Sequence, residues 1–318
     1  MKLLIASIPE VSVDERKEAL LRASNLALAR GVTTVVDVGR YFPGASVELS
    51  WEDLSDVYRW ADSTRQMKIR VCLFFPIETW SRLKGLIRES GRKLSDWIFL
   101  GGVKAFSDGS LGSNSALFHE VAIHAIGDRA NHLILDLYES VISANGVRDR
   151  RLRIEHAQHL AAASAKRFGR LGVIASVQPD HLLDDADSAA KKLGIERANR
   201  GSYLFKTLLS QNAELSFGSD WPVAEINPLK SIKTAMFRKP PGWEMPWIAS
   251  ECVTLNEALK AYTISAARAC FLENEVGSLS PGKLADFVIL SANSLDAFAM
   301  DMSVHIEATY VGGVKSYP

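Results

Sequence analysis

The stretch VAIHAIGDRAN, residues 121–131, carries the pattern on which the fold of this chain can be predicted. Its apolar run is typical of a buried β-strand, and Asp128 stands where the cap of a following helix is expected. His124 therefore lies where a buried strand ends and a helix is about to begin. A polar side chain at the end of a buried strand has to be explained, and the segments on either side provide the explanation.

Strand-like and helix-like segments alternate on both sides of this stretch. Apolar runs predict seven strands, at 32–39, 69–75, 97–106, 121–125, 151–157, 173–179 and 213–222. Helical periodicity predicts helices at 13–30, 51–66, 77–90, 131–144, 160–171 and 203–211. Near-continuous apolar strands separated by helices indicate a parallel sheet covered by helices, as either a doubly wound sheet or a barrel.

Polar residues at the strand ends favour the barrel. They lie at or just past the C-terminal ends of predicted strands: Lys104, His124, His156, Gln178 and Asp220. In a (β/α)₈ barrel that rim carries the active site. After a helix predicted at 255–271, strand patterns at 277–291 and 306–318 predict a small β appendage.

The composition of the chain indicates which binding partners and which cellular compartment to expect. The chain has 37 basic and 37 acidic side chains, which argues against a nucleic-acid or acidic-membrane partner. No apolar run reaches the length of a membrane span, and the first residues do not favour a signal peptide. The cysteines Cys72, Cys252 and Cys270 form no pair motif and suit a reducing compartment. We therefore expect a cytoplasmic location for the chain as written.

The rim residues also suit a hydrolytic metal site, since neutral imidazole and carboxylate are suitable ligands for zinc. Plainer interpretations remain for each residue alone: Lys104 as a partner of Asp108, and Asp220 as a helix cap. A zincin-like pattern at His119, Glu120 and His124 is rejected, because histidines five apart would face ~140° apart on a helix.

The remaining histidines have no partner at ligand spacing. The sequence predicts helix-surface or loop positions for His132 and His159. His181, in QPDHLLDD, follows a predicted strand and is expected to lie in a loop that borders the site, together with Gln178, Asp180 and Asp184.

Six stretches resemble the metal-dependent amidohydrolase superfamily, in its amidohydrolase family 3 branch. They are GGVKAFSDGSLGS (101–113), VAIHAIGDRA (121–130), RIEHAQ (153–158), SVQPDH (176–181), GSDWPV (218–223) and GSLSPGKLADFVIL (277–290). The resemblance implies a TIM-type (β/α)₈ barrel over residues 1–271 and the remnant of a small β-sandwich over 272–318. It implies hydrolysis of a C–N bond, of amide or formamide type, in a small-molecule substrate.

The resemblance also implies roles for particular residues. Lys104 would be the lysine that becomes carboxylated and bridges metals, and His124 and His156 would be ligands. Asp220 would bind metal and take a proton from the attacking water. The residues expected to contact substrate are Gln178, Asp180, His181 and Arg129.

The chain departs from the family pattern in two places. The family's first barrel strand carries a His-x-His pair, and no such pair is present. The segment 107–120 lacks the periodicity of the outer helix expected there. We therefore expect an incomplete barrel, lacking its first strand and one outer helix, from a truncated or spliced form. A barrel with open edges is prone to aggregate. With two ligands missing, the sequence predicts at most one tightly bound divalent metal, with His124 and His156 as ligands, and weak or absent hydrolysis.

Three functions remain open at this point. The first is a zinc-type amidohydrolase scaffold acting on a small molecule. The second is a non-catalytic regulatory or light-signalling protein on a degraded amidohydrolase barrel. The third is a plain α/β binding domain without metal. Self-association into a homo-oligomer is compatible with all three.

Overall fold

A computed structural model of the protein describes residues 11–40, 45–107, 121–161 and 163–318. The chain divides into two compact units. The first takes residues 1–104, 286–289 and 306–318, and the second takes 105–285 and 290–305. The division between barrel and sandwich remnant after residue 271 stays a prediction.

The first unit begins with alternating helices and parallel strands. Its elements are α1 Val13–Ala29, β1 Thr34–Asp37, α2 Leu49–Glu52, a π-helical turn Asp53–Tyr58, α3 Arg59–Ser63, β2 Arg70–Pro76, a 3₁₀ turn Ile77–Thr79, α4 Trp80–Ser90 and β3 Ile98–Phe106, whose last two residues belong to the second unit. A capping box between Ser12 and Glu15 satisfies the first N–H groups of α1. β2 pairs in parallel with both β1 and β3, and all its residues are buried.

The second unit continues the same alternation. Its elements are β4 Val121–Ala125, α5 Asp128–Asn145, β5 Arg153–His156, α6 Ser164–Leu171, β6 Ile174–Val177, α7 His181–Leu193, α8 Ile195–Gly201, α9 Phe205–Ser210, β7 Glu214–Phe217, α10 Pro228–Phe237, a 3₁₀ turn Ala249–Glu251, α11 Leu255–Tyr262, α12 Ile264–Arg268 and, after residue 290, α13 Leu295–Met300.

Strands β4 to β7 are paired in chain order, and every pair is parallel. One row of paired residues crosses the strands, through Ile123, Ile154, Ala175 and Leu215. All four are buried. Strands buried on both faces read as continuous apolar runs, which is the pattern the sequence showed. The parallel arrangement aligns the C-terminal ends of β5, β6 and β7, and the candidate site lies there.

The chain's last strands belong chiefly to the first unit. They form a three-stranded sheet in the order β10-β9-β8, from β8 Phe287–Leu290, β9 Ile306–Val311 and β10 Val314–Tyr317. Just before β8, Asp286 forms a buried ion pair with Arg70 of β2, with Nη2 and Oδ1 2.9 Å apart and side chains 2% and 4% exposed. The backbone N–H of Gly312 donates to the same carboxylate at 2.7 Å.

The parallel strands and alternating helices confirm the predicted α/β class, with several local differences. The helix predicted at 255–271 is two helices that meet at Thr263, whose φ of −116° and ψ of −96° interrupt the helical geometry. Where a loop was expected after β6, helix α7 begins at His181. The segment 108–120, where an outer helix was expected to be missing, lies outside the described residues. Within the described parts of the chain, the helices are all too short or too polar to cross a membrane.

Candidate metal centre

His156 is the last residue of β5 and has an unusual backbone conformation. Its φ is +76°, and Ala157 follows with a φ of +42°. Residues other than glycine seldom adopt this left-handed region, and strained backbone of this kind clusters at functional sites. The His156 side chain is only 7% exposed. A buried, polar side chain on a strained strand end is the arrangement expected of a functional group held in place.

Asp220 repeats this feature at the next strand but one. It follows β7 by three residues and has a φ of +55°. The N–H of Val223 donates to its carbonyl oxygen at 2.8 Å, so the residue opens a tight turn. Unlike His156, Asp220 is an exposed residue.

These two residues meet His181, the first residue of α7. Potential ligand atoms of His156, His181 and Asp220 all lie within 4.8 Å of one another. The ring of His124, at the end of β4, lies edge-on to the ring of His156 with centroids 4.5 Å apart. Three strand ends and one helix start therefore bring three histidines and one carboxylate to one place in the second unit.

Two glutamine side chains hold the buried histidines. Gln178 Oε1 accepts a hydrogen bond from His156 Nδ1 at 2.8 Å. Gln158 Nε2 donates to His181 Nδ1 at 3.2 Å. Both amides are buried, at 6% and 7% exposure. Gln178 was expected to contact substrate, and this stays a prediction; the structure shows its Oε1 bonded to His156.

Gln158 was not singled out from the sequence. It lies two residues beyond His156 in the stretch RIEHAQ, past the end of β5. The signal available was the same strand-end position that had drawn attention to the other rim residues. An amide there reads equally well as a loop residue, so position alone did not indicate its histidine partner.

The other predicted site residues fall in different surroundings. Asp180 is buried, and its Oδ1 accepts from Thr234 Oγ1 at 2.6 Å. Burial raises the pKa of this carboxyl group. Arg129, in the first turn of α5, and Asp184, on α7, are both exposed. Lys104 is 4% exposed on β3 in the first unit, and its association with the histidines stays a prediction.

The histidines set aside in the sequence lie elsewhere. His132 is exposed on α5. His159 Nδ1 shares a hydrogen bond with Ser202 Oγ at 3.0 Å, and burial lowers the pKa of His159. His119 and Glu120, of the rejected zincin pattern, lie outside the described residues.

The donor atoms of this site fit a divalent metal. With the His156 proton on Nδ1, the lone pair is on Nε2, which is the nitrogen a metal would bind. The Asp220 carboxylate supplies a second ligand of the kind zinc accepts. His181 Nε2 is buried and has no hydrogen-bond partner among the residues described. A buried polar atom without a partner is rare in native proteins, and a ligand or substrate atom would satisfy it.

Fold and site together define a member of the amidohydrolase class. The chain belongs to the amidohydrolase family, whose sequence model matches residues 1–317. It is 61% identical to Protein LONG AFTER FAR-RED 3 of Arabidopsis thaliana over 350 residues, an alignment that covers 100% of this chain and 60% of that protein. The motifs quoted above resemble that plant protein in particular, and the identity confirms the resemblance. The chain thus spans about three-fifths of this relative's length.

Two further similarities concern a named enzyme and a solved structure. The chain is 28% identical to an N-substituted formamide deformylase of Arthrobacter pascens over 204 residues, covering 64% of this chain and 37% of that enzyme. An uncharacterized metal-dependent hydrolase from Pyrococcus horikoshii shares the fold with a TM-score of 0.68 and 25% identity, over 86% of this chain and 58% of that one.

Proposed function

We propose that this chain is a metal-dependent amidohydrolase scaffold that hydrolyses the C–N bond of a small amide or formamide. One observation carries the proposal: potential ligand atoms of His156, His181 and Asp220, which come from two strand ends and the start of a helix, lie within 4.8 Å of one another. The similarity to a formamide deformylase supports the substrate class.

The chain's own residues would divide the work as follows. His156, through Nε2, and Asp220 would hold the metal, and the family resemblance adds His124 and a carboxylated Lys104. Zinc suits this donor set, and such a metal polarises a carbonyl group and lowers the pKa of bound water to about 7. Asp220 would accept a proton from the attacking water. It would return that proton to the leaving nitrogen as the new C–O bond replaces the C–N bond.

Several finer features belong to the same proposal. The residues proposed to contact substrate are Gln178, Asp180, His181 and Arg129. At most one metal would bind tightly. The three-stranded C-terminal sheet would be the remnant of a β-sandwich. The protein would act in the cytoplasm on a small molecule, without nucleic acid, and self-association stays open to measurement.

Metal content of purified variants tests the site. His156→Ala should abolish tight zinc binding, because it removes a ligand whose orientation is fixed by Gln178. His159→Ala should leave zinc content unchanged, because its ring bonds to Ser202. Zinc would be measured by mass spectrometry after loading and gel filtration. Normal zinc content in His156→Ala, or two metals per chain, would contradict the proposed site.

A hydrolysis screen against N-substituted formamides and N-acyl amides tests the reaction. We expect weak turnover by the full chain, lowered at least about 100-fold in Asp220→Asn, because both a ligand and the proton carrier are lost. A chain that binds zinc at His156 but hydrolyses none of these compounds would support the non-catalytic regulatory alternative.

A further inference from the structure

Two short motifs hold each other's histidines in a reciprocal arrangement. The first motif is His156, the last residue of β5, with Gln158 two residues later. The second is Gln178, directly after β6, with His181 three residues later. Gln178 bonds to the histidine of the β5 motif, and Gln158 bonds to the histidine of the β6 motif. Each imidazole is therefore oriented by the amide of the neighbouring strand end.

The two amides present opposite atoms to their histidines. Gln178 Nε2 donates to the carbonyl oxygen of Ser176 at 3.4 Å, which leaves Oε1 facing His156. An amide oxygen only accepts, so the proton of His156 is on Nδ1 and its lone pair is on Nε2. This is the state in which a histidine binds metal, with its other nitrogen donating to an outer partner.

The hydrogen bond to His181 favours the opposite tautomer. Gln158 presents Nε2, which only donates, so His181 Nδ1 is the acceptor. In the neutral ring the proton is then on Nε2, the buried atom that has no partner among the described residues. A protonated nitrogen cannot bind metal, but it can donate a hydrogen bond to an oxygen that enters the site.

We infer that Gln158 and Gln178 are positioning residues that give two neighbouring histidines different roles: His156 is a metal ligand, and His181 is a hydrogen-bond donor to the carbonyl oxygen of the substrate. As water adds to that carbonyl, negative charge develops on its oxygen, and a preorganised donor stabilises it most at that stage. This inference rests on the proposed amide or formamide hydrolysis and assigns His181 a role within it.

Zinc affinity of the full chain, measured by chelator competition, separates the two histidines. His156→Ala should lose tight binding, whereas His181→Ala should keep the affinity of the unchanged chain and lose turnover. Gln178→Leu should weaken zinc binding by about 10- to 100-fold, the usual effect of removing an outer partner of a ligand. Gln158→Leu should leave zinc affinity unchanged. Gln211→Leu, at an exposed amide, is the control for amide removal as such.

Carboxylate substitutions give the sharpest comparison, since a carboxylate accepts but does not donate. Gln178→Glu preserves the His156 tautomer and should retain zinc affinity. Gln158→Glu should move the His181 proton to Nδ1, expose a lone pair on Nε2, and so tighten zinc binding. Each variant should keep the circular-dichroism spectrum and thermal midpoint of the unchanged chain, so that misfolding is excluded.

Nitrogen-15 NMR of the imidazole rings in the metal-free chain reads the tautomers directly. We expect the proton on Nδ1 of His156 and on Nε2 of His181. A His181 proton on Nδ1, or loss of zinc in His181→Ala as severe as in His156→Ala, would overturn this inference while leaving the proposed metal site intact. A chain that binds no zinc yet shows both expected tautomers would overturn the proposed function and leave the hydrogen-bond assignment standing.

Discussion

At His156 the backbone accepts an unfavourable conformation at the point where a ligand is needed. The left-handed region costs roughly 1–2 kcal/mol for a residue with a Cβ atom, and His156 and Ala157 adopt it in succession. Asp220 does the same after β7. The surrounding packing must hold these residues there, since neither would choose this geometry alone. Other non-glycine residues of the described chain also have positive φ, so it is the proximity of His156 and Asp220 ligand atoms, and not the backbone alone, that joins these two strand ends in one site.

Replacing Ala157 with glycine tests this strain. Both Ala157, at 1% exposure, and Ala175 of β6, at 0%, are buried, so each loses a similar methyl contact when changed to glycine. Only Ala157 has a φ that glycine adopts freely. The free energy of unfolding should therefore fall less in Ala157→Gly than in Ala175→Gly, by about 1 kcal/mol or more. Urea unfolding measures both, and equal losses would show that Ala157 is not strained.

The sequence indicated some residues of this site and missed the contacts between them. His156 and Asp220 were recognised because a polar side chain at the end of an apolar strand stands out. His181 was expected near the site but in a loop. The bond from Gln158 to His181 joins two segments that meet only in the folded sheet. Neither this bond nor the positive φ of His156 has a signature in residue order.

One ion pair connects the start of β5 to the segment after α12. Arg151 forms two bonds to the Glu273 carboxylate, at 2.6 and 2.5 Å, and its guanidinium lies 3.7 Å from the ring centroid of Phe271. Burial alone would raise the pKa of Glu273, but the hydrogen bonds and charge of Arg151, a backbone hydrogen bond and the charge of Arg268 together outweigh it, and the pKa is lowered. This ion pair therefore anchors the segment that leads into β5, the strand that ends at His156.

This pair should give a pH-dependent contribution to stability. Because the folded-state pKa of Glu273 is lowered, its contribution is present above the ordinary value of 4.5 and is lost as the pH falls through the folded-state value. At pH 7, Glu273→Gln should lower the free energy of unfolding by about 1 kcal/mol. In urea unfolding at a pH below that folded-state value the variant and the unchanged chain should converge. A difference that persists at low pH would mean that charge is not the cause.

The strands were easier to predict than the helices that follow them. All seven parallel strands lie within the predicted apolar runs, and six of them are mainly buried; β1 is not, since none of its residues is buried and Val36 is exposed. Helix α7 was missed, although Leu182, Ala186 and Ala189 have helical spacing and are buried. Helix α10 was missed despite its Asn227 cap and following proline. The break at Thr263 was not predictable, because the helical periodicity of the sequence continues across it.

At the scale of the whole molecule, a buried ion pair in the first unit joins distant parts of the chain. Arg70 and Asp286 are 216 residues apart in sequence, and their ion pair is nearly fully buried. The Arg70 guanidinium lies over the ring of Trp97, with Cζ 5.1 Å from the ring centroid. The pair therefore joins β2 to the residue that precedes the first strand of the C-terminal sheet.

Breaking this pair should be costly, whereas removing both charges should not. Arg70→Leu or Asp286→Leu alone should lower the free energy of unfolding by about 3–5 kcal/mol, because each leaves an unpaired buried charge. The double variant should lose less than either single variant. A double-mutant cycle by urea unfolding gives the coupling. Additive losses would show that the two charges do not stabilise each other.

The separation of these two residues in sequence sets an order of folding during synthesis on the ribosome. At about 5–20 residues per second, the 216 residues between Arg70 and Asp286 take roughly 10–40 s to emerge. Strands β4 to β7 leave the ribosome in that interval, so the second unit can start folding first. The Arg70 side chain stays hydrated until Asp286 and the strands β8 to β10 have been synthesised. Burial of its charge therefore cannot precede the synthesis of Asp286.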